Sequence, residues 1–232
     1  MFLQDRAGAT GAGKFSMPDI ETRKLTFAIG SFEGQLRALR DRIQYSDPDG
    51  AAERMGICSA SWSLFGQLWP ASKVLARYLK TMDLKDRRIL ELGCGLGLPS
   101  LTLQYLGADI TASDYHPLSE EFLQYNSELN QLPDIPFMQL DWNNPPENEK
   151  FDLIIASDVL YDPGLPASLC NAIEKLASPV CKVLLSCPSR GYKNTFSRKM
   201  AKLGFELTEI PIAFGPDEKP PHKGRLLSYS RG

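Results

Sequence analysis

Hydrophobic and polar positions along the chain follow two alternating periods, and each change of period predicts a new element. Short apolar runs of about four to eight residues are typical of buried strands, and apolar residues three and four apart are typical of helices. From residue 61 onward the two patterns take turns. The predicted strands are 88–92, 109–113, 137–140, 151–157, 180–186, 205–212 and 225–229; the predicted helices are 71–82, 98–106, 118–129, 165–177 and 194–203.

This order of elements predicts an α/β fold with a doubly wound, mostly parallel sheet. Strands that alternate with helices are typical of parallel sheets, because parallel neighbours need a crossover connection. The two strands nearest the carboxyl terminus have no helix between them, so we expect them to pair antiparallel at one edge. Residues 61–232 should therefore form one domain with helices on both faces of the sheet.

The first 16 residues are small, polar and rich in glycine, which predicts a flexible leader. Residues 8–14 imitate a phosphate-binding loop. However, Phe15 occupies the position where a serine or threonine would bind magnesium, and no strand precedes the loop. We expect no nucleotide site there.

Residues 17–60 should form an accessory segment in front of the domain. Alternation at 23–31 predicts a strand, and the spacing of apolar residues at 32–43 predicts a helix. Two interpretations of the segment stay open. It covers the mouth of a binding site, or it is an inert packing layer.

Composition narrows the classes of function. The chain has 232 residues, 43% of them hydrophobic, which suffices for one buried core. Its net charge of −2 lacks the basic excess of nucleic-acid-binding proteins, so no nucleic-acid partner is expected. The five cysteines include no C-x-x-C pair and predict reduced thiols without a metal site. No apolar run approaches the roughly 20 residues of a membrane span, and we predict a cytoplasmic protein.

A glycine-rich turn after the first strand of this domain is the most informative motif. Glu91 opens the sequence E-L-G-C-G-L-G, in which Gly93, Gly95 and Gly97 allow a sharp bend and close approach of a ligand. Asp114 ends the next strand, near the distance expected for an acid that binds ribose. The spacing differs from the dinucleotide fingerprint, and a carboxylate in the loop favours a ligand with ammonium or sulfonium charge. The motif predicts a site for a cationic nucleoside, and a merely tight turn is the alternative.

Two later strand ends carry further candidates. Asp141 and Trp142 follow the third strand, where a carboxylate can accept from an adenine amine and an indole can cover the ring. The alternative is an Asx turn with a tryptophan that caps the core. A polar run from Ser157 through Asp158 to Tyr161 follows the apolar fourth strand. A helix N-cap is the alternative for Asp158.

Together these motifs resemble the class I, seven-β-strand S-adenosylmethionine-dependent methyltransferases. Their first motif reads E-x-G-x-G-x-G, and their second strand ends in an acid that holds the ribose. Three further matches resemble the lysine-methyltransferase-like branch: W-P-A at 69–71, D-W at 141–142 and D-V-L-Y at 158–161. Many characterised members of that branch methylate lysine side chains of proteins. The resemblance covers roughly residues 61–190.

The resemblance implies S-adenosyl-L-methionine as the cofactor, S-adenosyl-L-homocysteine as the product, and a protein lysine as the acceptor. A small-molecule N- or O-methyltransferase and a catalytically silent cofactor-binding module stay open. It also implies seven strands in the order 3-2-1-4-5-7-6 with the last one reversed. Asp158 and Tyr161 would border the acceptor as the catalytic residues. The residues placed at the cofactor are Trp69, Glu91, Gly93, Cys94, Gly95, Gly97, Asp114, Tyr115, Asp141, Trp142 and Ser157.

Two other features favour ordinary structural interpretations. N-N-P-P at 143–146 is similar to the N-P-P-Y signature of adenine and glutamine amino methyltransferases. It follows the third strand instead of the fourth, and Glu147 replaces the aromatic residue, so we interpret it as a loop. A basic set near the last predicted helix fits a solvated helix face better than a phosphate or acidic-protein contact. Its members are Arg190, Lys193, Arg198, Lys199 and Lys202.

Overall fold

The computed structural model describes residues 20–188, 191–212 and 224–232. The predicted leader and its phosphate-loop imitation lie outside these residues. The strands are β1 (Thr22–Ile29), β2 (Phe32–Leu39), β3 (Arg88–Leu92), β4 (Asp109–Asp114), β5 (Phe137–Gln139), β6 (Phe151–Ser157), β7 (Ala177–Cys187), β8 (Glu206–Ile210) and β9 (Arg225–Arg231). The helices are α1 (Ala51–Arg54), α2 (Ser59–Trp62), α3 (Pro70–Leu79), α4 (Leu98–Tyr105), α5 (Ser119–Leu129), α6 (Leu165–Leu176) and α7 (Lys193–Lys202).

A seven-stranded sheet in the order β5-β4-β3-β6-β7-β9-β8 organises the domain. Counted from β3, this is the order 3-2-1-4-5-7-6 that the resemblance implied. The strands from β5 to β7 pair in parallel, whereas β9 runs antiparallel to both β7 and β8. The predicted α/β fold with a reversed last strand is confirmed, and the predicted strands and helices of the domain are present with small shifts at their ends.

Both faces of the sheet are covered, which explains why its central strands are nearly continuous apolar runs. On one face Leu90 and Leu92 of β3 pack in a cluster that includes side chains of α6 and α7. On the other face Ile89 packs in a cluster that includes side chains of α3, α4 and α5. Helices on both faces bury the sheet and leave the carboxyl ends of its strands as the place for a site.

The predicted helix at 32–43 is wrong, because this stretch contains β2, which forms a hairpin with β1. Ile29 pairs with Phe32, so Gly30 and Ser31 form a two-residue turn that begins at φ 59°. Apolar residues four apart, such as Phe32 and Leu36, share a face in a strand as well as in a helix. A Gly-Ser pair between two apolar runs is a hairpin signal, and here it favours the strand over the helix.

Asn126 of α5 and Asn130 at the end of this helix attach the hairpin to the domain. Asn126 Oδ1 accepts from the backbone N–H of Arg37 at 2.7 Å, and its Nδ2 donates to the carbonyl of the same residue at 3.3 Å. Asn130 makes the equivalent pair of bonds with Gln35, at 2.9 and 2.7 Å. The side-chain amides thus satisfy backbone groups along the edge of β2, which an unpaired strand would leave open.

Within the described part of the chain, no helix combines the length and apolar character needed to cross a membrane. The same residues contain no group of histidine, cysteine and acidic side chains that could hold a metal ion. All five cysteines are free thiols.

Candidate active site

A cavity of about 630 Å³ opens at the carboxyl ends of β3, β4 and β6. Between β3 and β6 the strand order reverses, and ligands of open α/β sheets bind at such a switch point. The volume of the cavity lies in the range of small-molecule sites. Twelve of the thirteen residues predicted for the site line it: Trp69, Gly93, Cys94, Gly95, Gly97, Asp114, Tyr115, Asp141, Trp142, Ser157, Asp158 and Tyr161.

The glycine loop needs its glycines for geometric reasons. Gly93, Gly95 and Gly97 all have positive φ, at 69°, 53° and 77°. A Cβ at Gly93 would lie 2.9 Å from a methyl group of Val159, and one at Gly95 would lie 2.8 Å from the carbonyl oxygen of Phe65. Both distances are shorter than real Cβ contacts. The loop therefore presents bare backbone to the cavity.

Asp114 holds this loop from the end of β4. Its Oδ2 accepts from the N–H of Gly95 at 2.8 Å, and its Oδ1 accepts from the N–H of His116 at 2.9 Å. Burial raises the pKa of the carboxyl, and these N–H groups oppose the rise because they favour the ionised form. Each carboxylate oxygen has a second lone pair, so Asp114 can also accept from two vicinal hydroxyl groups.

Glu91 is the predicted site residue that the structure does not bring to the cavity. Its side chain is buried below the loop, where Oε2 accepts from the backbone N–H of Ser100 at 3.0 Å and from the hydroxyl of the same residue. Burial raises the pKa of Glu91 to about 8. A mostly protonated carboxyl inside the protein cannot provide the negative charge that we expected it to present to a ligand.

The buried Glu91 makes a testable prediction about stability. Its pKa is about 8 in the folded protein and 4.5 as a free side chain. The folded state therefore binds the proton more tightly, and this stabilisation is lost as pH rises from 4.5 through 8. The loss is about 1.4 kcal/mol per pH unit where the two states differ by one proton.

Glu91→Gln should remove this slope, because glutamine does not titrate and its carbonyl can still accept from Ser100. We expect the free energy of unfolding of the variant, relative to the original protein, to rise by about 2 kcal/mol between pH 6.5 and 8. His116, whose pKa burial lowers to about 3, contributes equally to both proteins and cancels in this comparison. Urea titrations with the same pH dependence in both proteins would contradict the assignment.

Asp141 and Trp142 combine the two interpretations that the sequence left open. Asp141 Oδ1 accepts from the N–H of Asn143 at 2.8 Å, which is the bond of an Asx turn. Trp142 packs against the core cluster beside Leu140. Both residues nevertheless line the cavity. Among the described residues the indole Nε1 of Trp142 is buried without a hydrogen-bond partner.

Asp158 occupies a strained position at the end of β6. It has φ of 54°, in the left-handed region that residues other than glycine seldom adopt, and its N–H donates to Ser186 O at 2.8 Å. The N-cap alternative is wrong, because α6 begins after Gly164. Tyr161 lies 47% exposed at the same end of the cavity. Burial and the nearby carboxylates of Asp114, Asp162 and Asp158 raise its pKa, so the phenol stays neutral.

Sequence reasoning missed several wall residues: Met55 and Phe65 precede the first site motif, and His116 follows Tyr115 without a motif of its own. Met55 follows α1 and lines the cavity; its carbonyl accepts from the Tyr115 hydroxyl at 2.6 Å. His116 stacks on Phe65 with ring centroids 3.8 Å apart. No local motif marks Met55, whereas the aromatic run at 62–69 is a weak signal for a wall.

These contacts show that one part of the accessory segment is a packing layer and another part lies at the mouth of the cavity. The hairpin packs on α5 and does not line the cavity, whereas residues 55–57 form part of the wall. Among the described residues of the segment, only 55–57 lie where they can cover a ligand.

Residues 59–203, more than half of the chain, match the model of a family described as lysine methyltransferase. The chain belongs to the lysine methyltransferase family. This confirms the resemblance that the motifs at 69–71, 91–97 and 158–161 carried.

Curated relatives of this chain are named as lysine methyltransferases. Protein N-lysine methyltransferase METTL21A of Danio rerio is 32% identical over 171 residues, which cover 68% of this chain and 78% of the relative. The human electron transfer flavoprotein beta subunit lysine methyltransferase is 31% identical over 175 residues, which cover 71% and 64%. The match thus spans less than two thirds of the human relative.

Solved structures support the same fold at lower identity. A Thermus thermophilus 16S rRNA N2 G1207 methyltransferase, solved with AdoMet and guanosine, superposes with a TM-score of 0.64 and 18% identity, covering 94% of this chain and 52% of that one. A magnesium protoporphyrin IX methyltransferase of Synechocystis, solved with bound SAM, gives 0.53 and 19%, covering 70% and 78%. S-adenosylmethionine-dependent methyltransferases therefore share the architecture of this chain.

Proposed function

We propose that this protein is an S-adenosylmethionine-dependent N-methyltransferase that modifies a lysine side chain of a protein. One observation carries the proposal: a single cavity joins the glycine loop held by Asp114 to the strained Asp158 and Tyr161. The first pair fits a nucleoside, and the second fits an amine. The names of the family and of the curated relatives support the same acceptor.

The residues present fit S-adenosylmethionine. Asp114 offers acceptors for ribose hydroxyls, and the glycine loop has no side chain to obstruct the ligand. Asp141 offers an acceptor for the amine of a purine, and the indole of Trp142 can cover the ring. When bound, the cofactor supplies an electrophilic methyl group on a sulfonium sulfur.

The charges on the cavity wall favour cationic ligands. Its acidic residues are Asp114, Asp141 and Asp158, and no lysine or arginine is among the described residues that line it. Burial keeps His116 neutral. Three carboxylates on the wall attract ammonium and sulfonium groups and repel anionic acceptors. A lysine fits this wall, whereas an acidic metabolite does not.

The chain must also present the amine without its proton. A free lysine has a pKa near 10.4, so a neutral amine at pH 7 costs roughly 4 to 5 kcal/mol. The ring of Tyr161 can reduce this cost as an apolar wall, because burial disfavours the ammonium form. Asp158 can accept a hydrogen bond from the amine and orient its lone pair. Its charge also favours the protonated form, so we assign it orientation before proton removal.

The proposed compartment is the cytoplasm, as the sequence predicted. The five free thiols support a reducing environment.

A labelling experiment tests the acceptor class. The protein is incubated with a dialysed cell extract and methyl-tritiated S-adenosylmethionine, and the labelled protein fraction is hydrolysed and chromatographed. We expect tritium in methylated lysine, and much less label with Asp114→Ala when the cofactor concentration lies below the Kd of that variant. Label that dialyses away after incubation would support a small-molecule acceptor. Cofactor binding without label in either fraction would support a silent binding module.

A further inference from the structure

The loop after β5 contains a short chain of hydrogen bonds that the proposed function does not yet use. Asp141 Oδ1 accepts from Asn143 twice, from the backbone N–H at 2.8 Å and from Nδ2 at 3.1 Å. Asn143 Oδ1 in turn accepts from the hydroxyl of Ser168 on α6 at 2.7 Å. All three residues line the cavity.

This chain fixes the direction of each group. The Asn143 amide has its oxygen toward the Ser168 hydroxyl and its NH₂ toward the carboxylate, because a carboxylate can only accept. Both bonds to Asp141 fall on Oδ1, and among the described residues Oδ2 receives no protein donor. Asp141 also lies close enough to Tyr115 to raise the pKa of that phenol, after the effect of burial. The open oxygen is therefore on a carboxylate that is held in place at the cavity wall.

We propose that Asn143 and Ser168 are positioning residues that hold Asp141 ready to accept a hydrogen bond from the exocyclic amine of adenine. The proposal rests on the proposed function, because it requires an adenosyl cofactor in this cavity. It adds a selectivity: a 6-amino purine donates to the oriented carboxylate, whereas a 6-oxo purine presents a carbonyl oxygen that the carboxylate repels. The loop at 143–146 thus helps to distinguish purine bases.

Calorimetry with two ligands tests this selectivity. S-Adenosylhomocysteine and its deaminated analogue S-inosylhomocysteine differ at position 6, an amine in one and a carbonyl in the other, and at N1, which carries a proton only in the inosyl compound. The quantity of interest is the ratio of their Kd values. Asn143→Ala should reduce this preference for adenine by about tenfold, because one oriented hydrogen bond to a charged group is lost. Ser168→Ala should reduce it by about threefold, since the amide loses its anchor but keeps its contact.

Asn144→Ala is the matched control, because this neighbouring asparagine contacts Asp141 through its backbone N–H. The adenine preference should stay unchanged in that variant. Asp141→Ala should abolish the preference, and adding Asn143→Ala to it should change the ratio no further if Asn143 acts through Asp141.

An equal loss of affinity for both ligands in Asn143→Ala would overturn the proposal, since a merely loosened loop has that effect. An unchanged ratio in Asn143→Ala would overturn it as well. The proposed function fails in a different way, namely if the original protein binds neither ligand.

Discussion

Replacing Asp114 with alanine should lower the affinity for S-adenosylmethionine by about 100-fold, because two hydrogen bonds from ribose hydroxyls to a charged acceptor are lost. The variant also removes the hydrogen bond that the N–H of Gly95 donates to Asp114 Oδ2 at 2.8 Å. Part of the lost affinity therefore comes from a looser glycine loop. Titration calorimetry measures the affinity directly.

Two variants separate these contributions. Asp114→Asn keeps the size of the side chain and one oxygen for a backbone N–H, so it should lose less affinity than alanine. Asp109→Ala changes an exposed acid at the opposite end of β4 and should bind the cofactor like the original protein. If folded Asp114→Ala, checked by its thermal midpoint, binds the cofactor undiminished, then the ribose assignment fails.

The fold could be predicted from the sequence wherever an element had two covered faces. β3 and β6 are apolar runs too short for a helix, and the helix patterns between the strands fixed the parallel arrangement. The hairpin of β1 and β2 was harder. It has one buried face, and over eight residues the spacing of Phe32 and Leu36 satisfies both periods.

The site could be predicted as far as its residues follow strand ends. Asp114 and Asp158 come at the carboxyl ends of β4 and β6, which topology brings to one edge. The sequence could not show that Glu91 lies away from the cavity. This residue belongs to the strand itself, and only the structure shows that its side chain is bonded to Ser100 of α4. Met55 could not be found, since its place depends on tertiary packing of a segment with no motif.

The contacts at 141–143 show why the alternatives for Asp141 were not exclusive. The same carboxylate closes an Asx turn through one oxygen and faces the cavity. A turn that orients a side chain and a site that uses it are compatible whenever the turn leaves one lone-pair set open. Local structural roles therefore do not argue against function at such strand ends.

Asp158→Asn should reduce kcat for methyl transfer by about 100-fold or more, a loss typical of a polar group that acts on the reacting centre. Asparagine and aspartate are both enriched among non-glycine residues with positive φ, so the backbone after β6 should keep its course at φ 54°. The affinity for the cofactor should change by less than about threefold, because the amide leaves the glycine loop and Asp114 intact. Initial rates with saturating cofactor, together with calorimetry, distinguish the two effects.

Two further variants decide whether Asp158 is retained for chemistry. Asp158→Gly should also lose activity, yet it relieves about 1 kcal/mol of backbone strain and should raise the thermal midpoint by a few degrees. Asp162→Asn removes a neighbouring carboxylate outside the cavity wall and keeps an acceptor for the N–H of Gly164, so its rate should stay near the original. If Asp158→Gly is more stable but inactive, the strained conformation of Asp158 serves the reaction with the acceptor. A fully active Asp158→Asn would exclude this role.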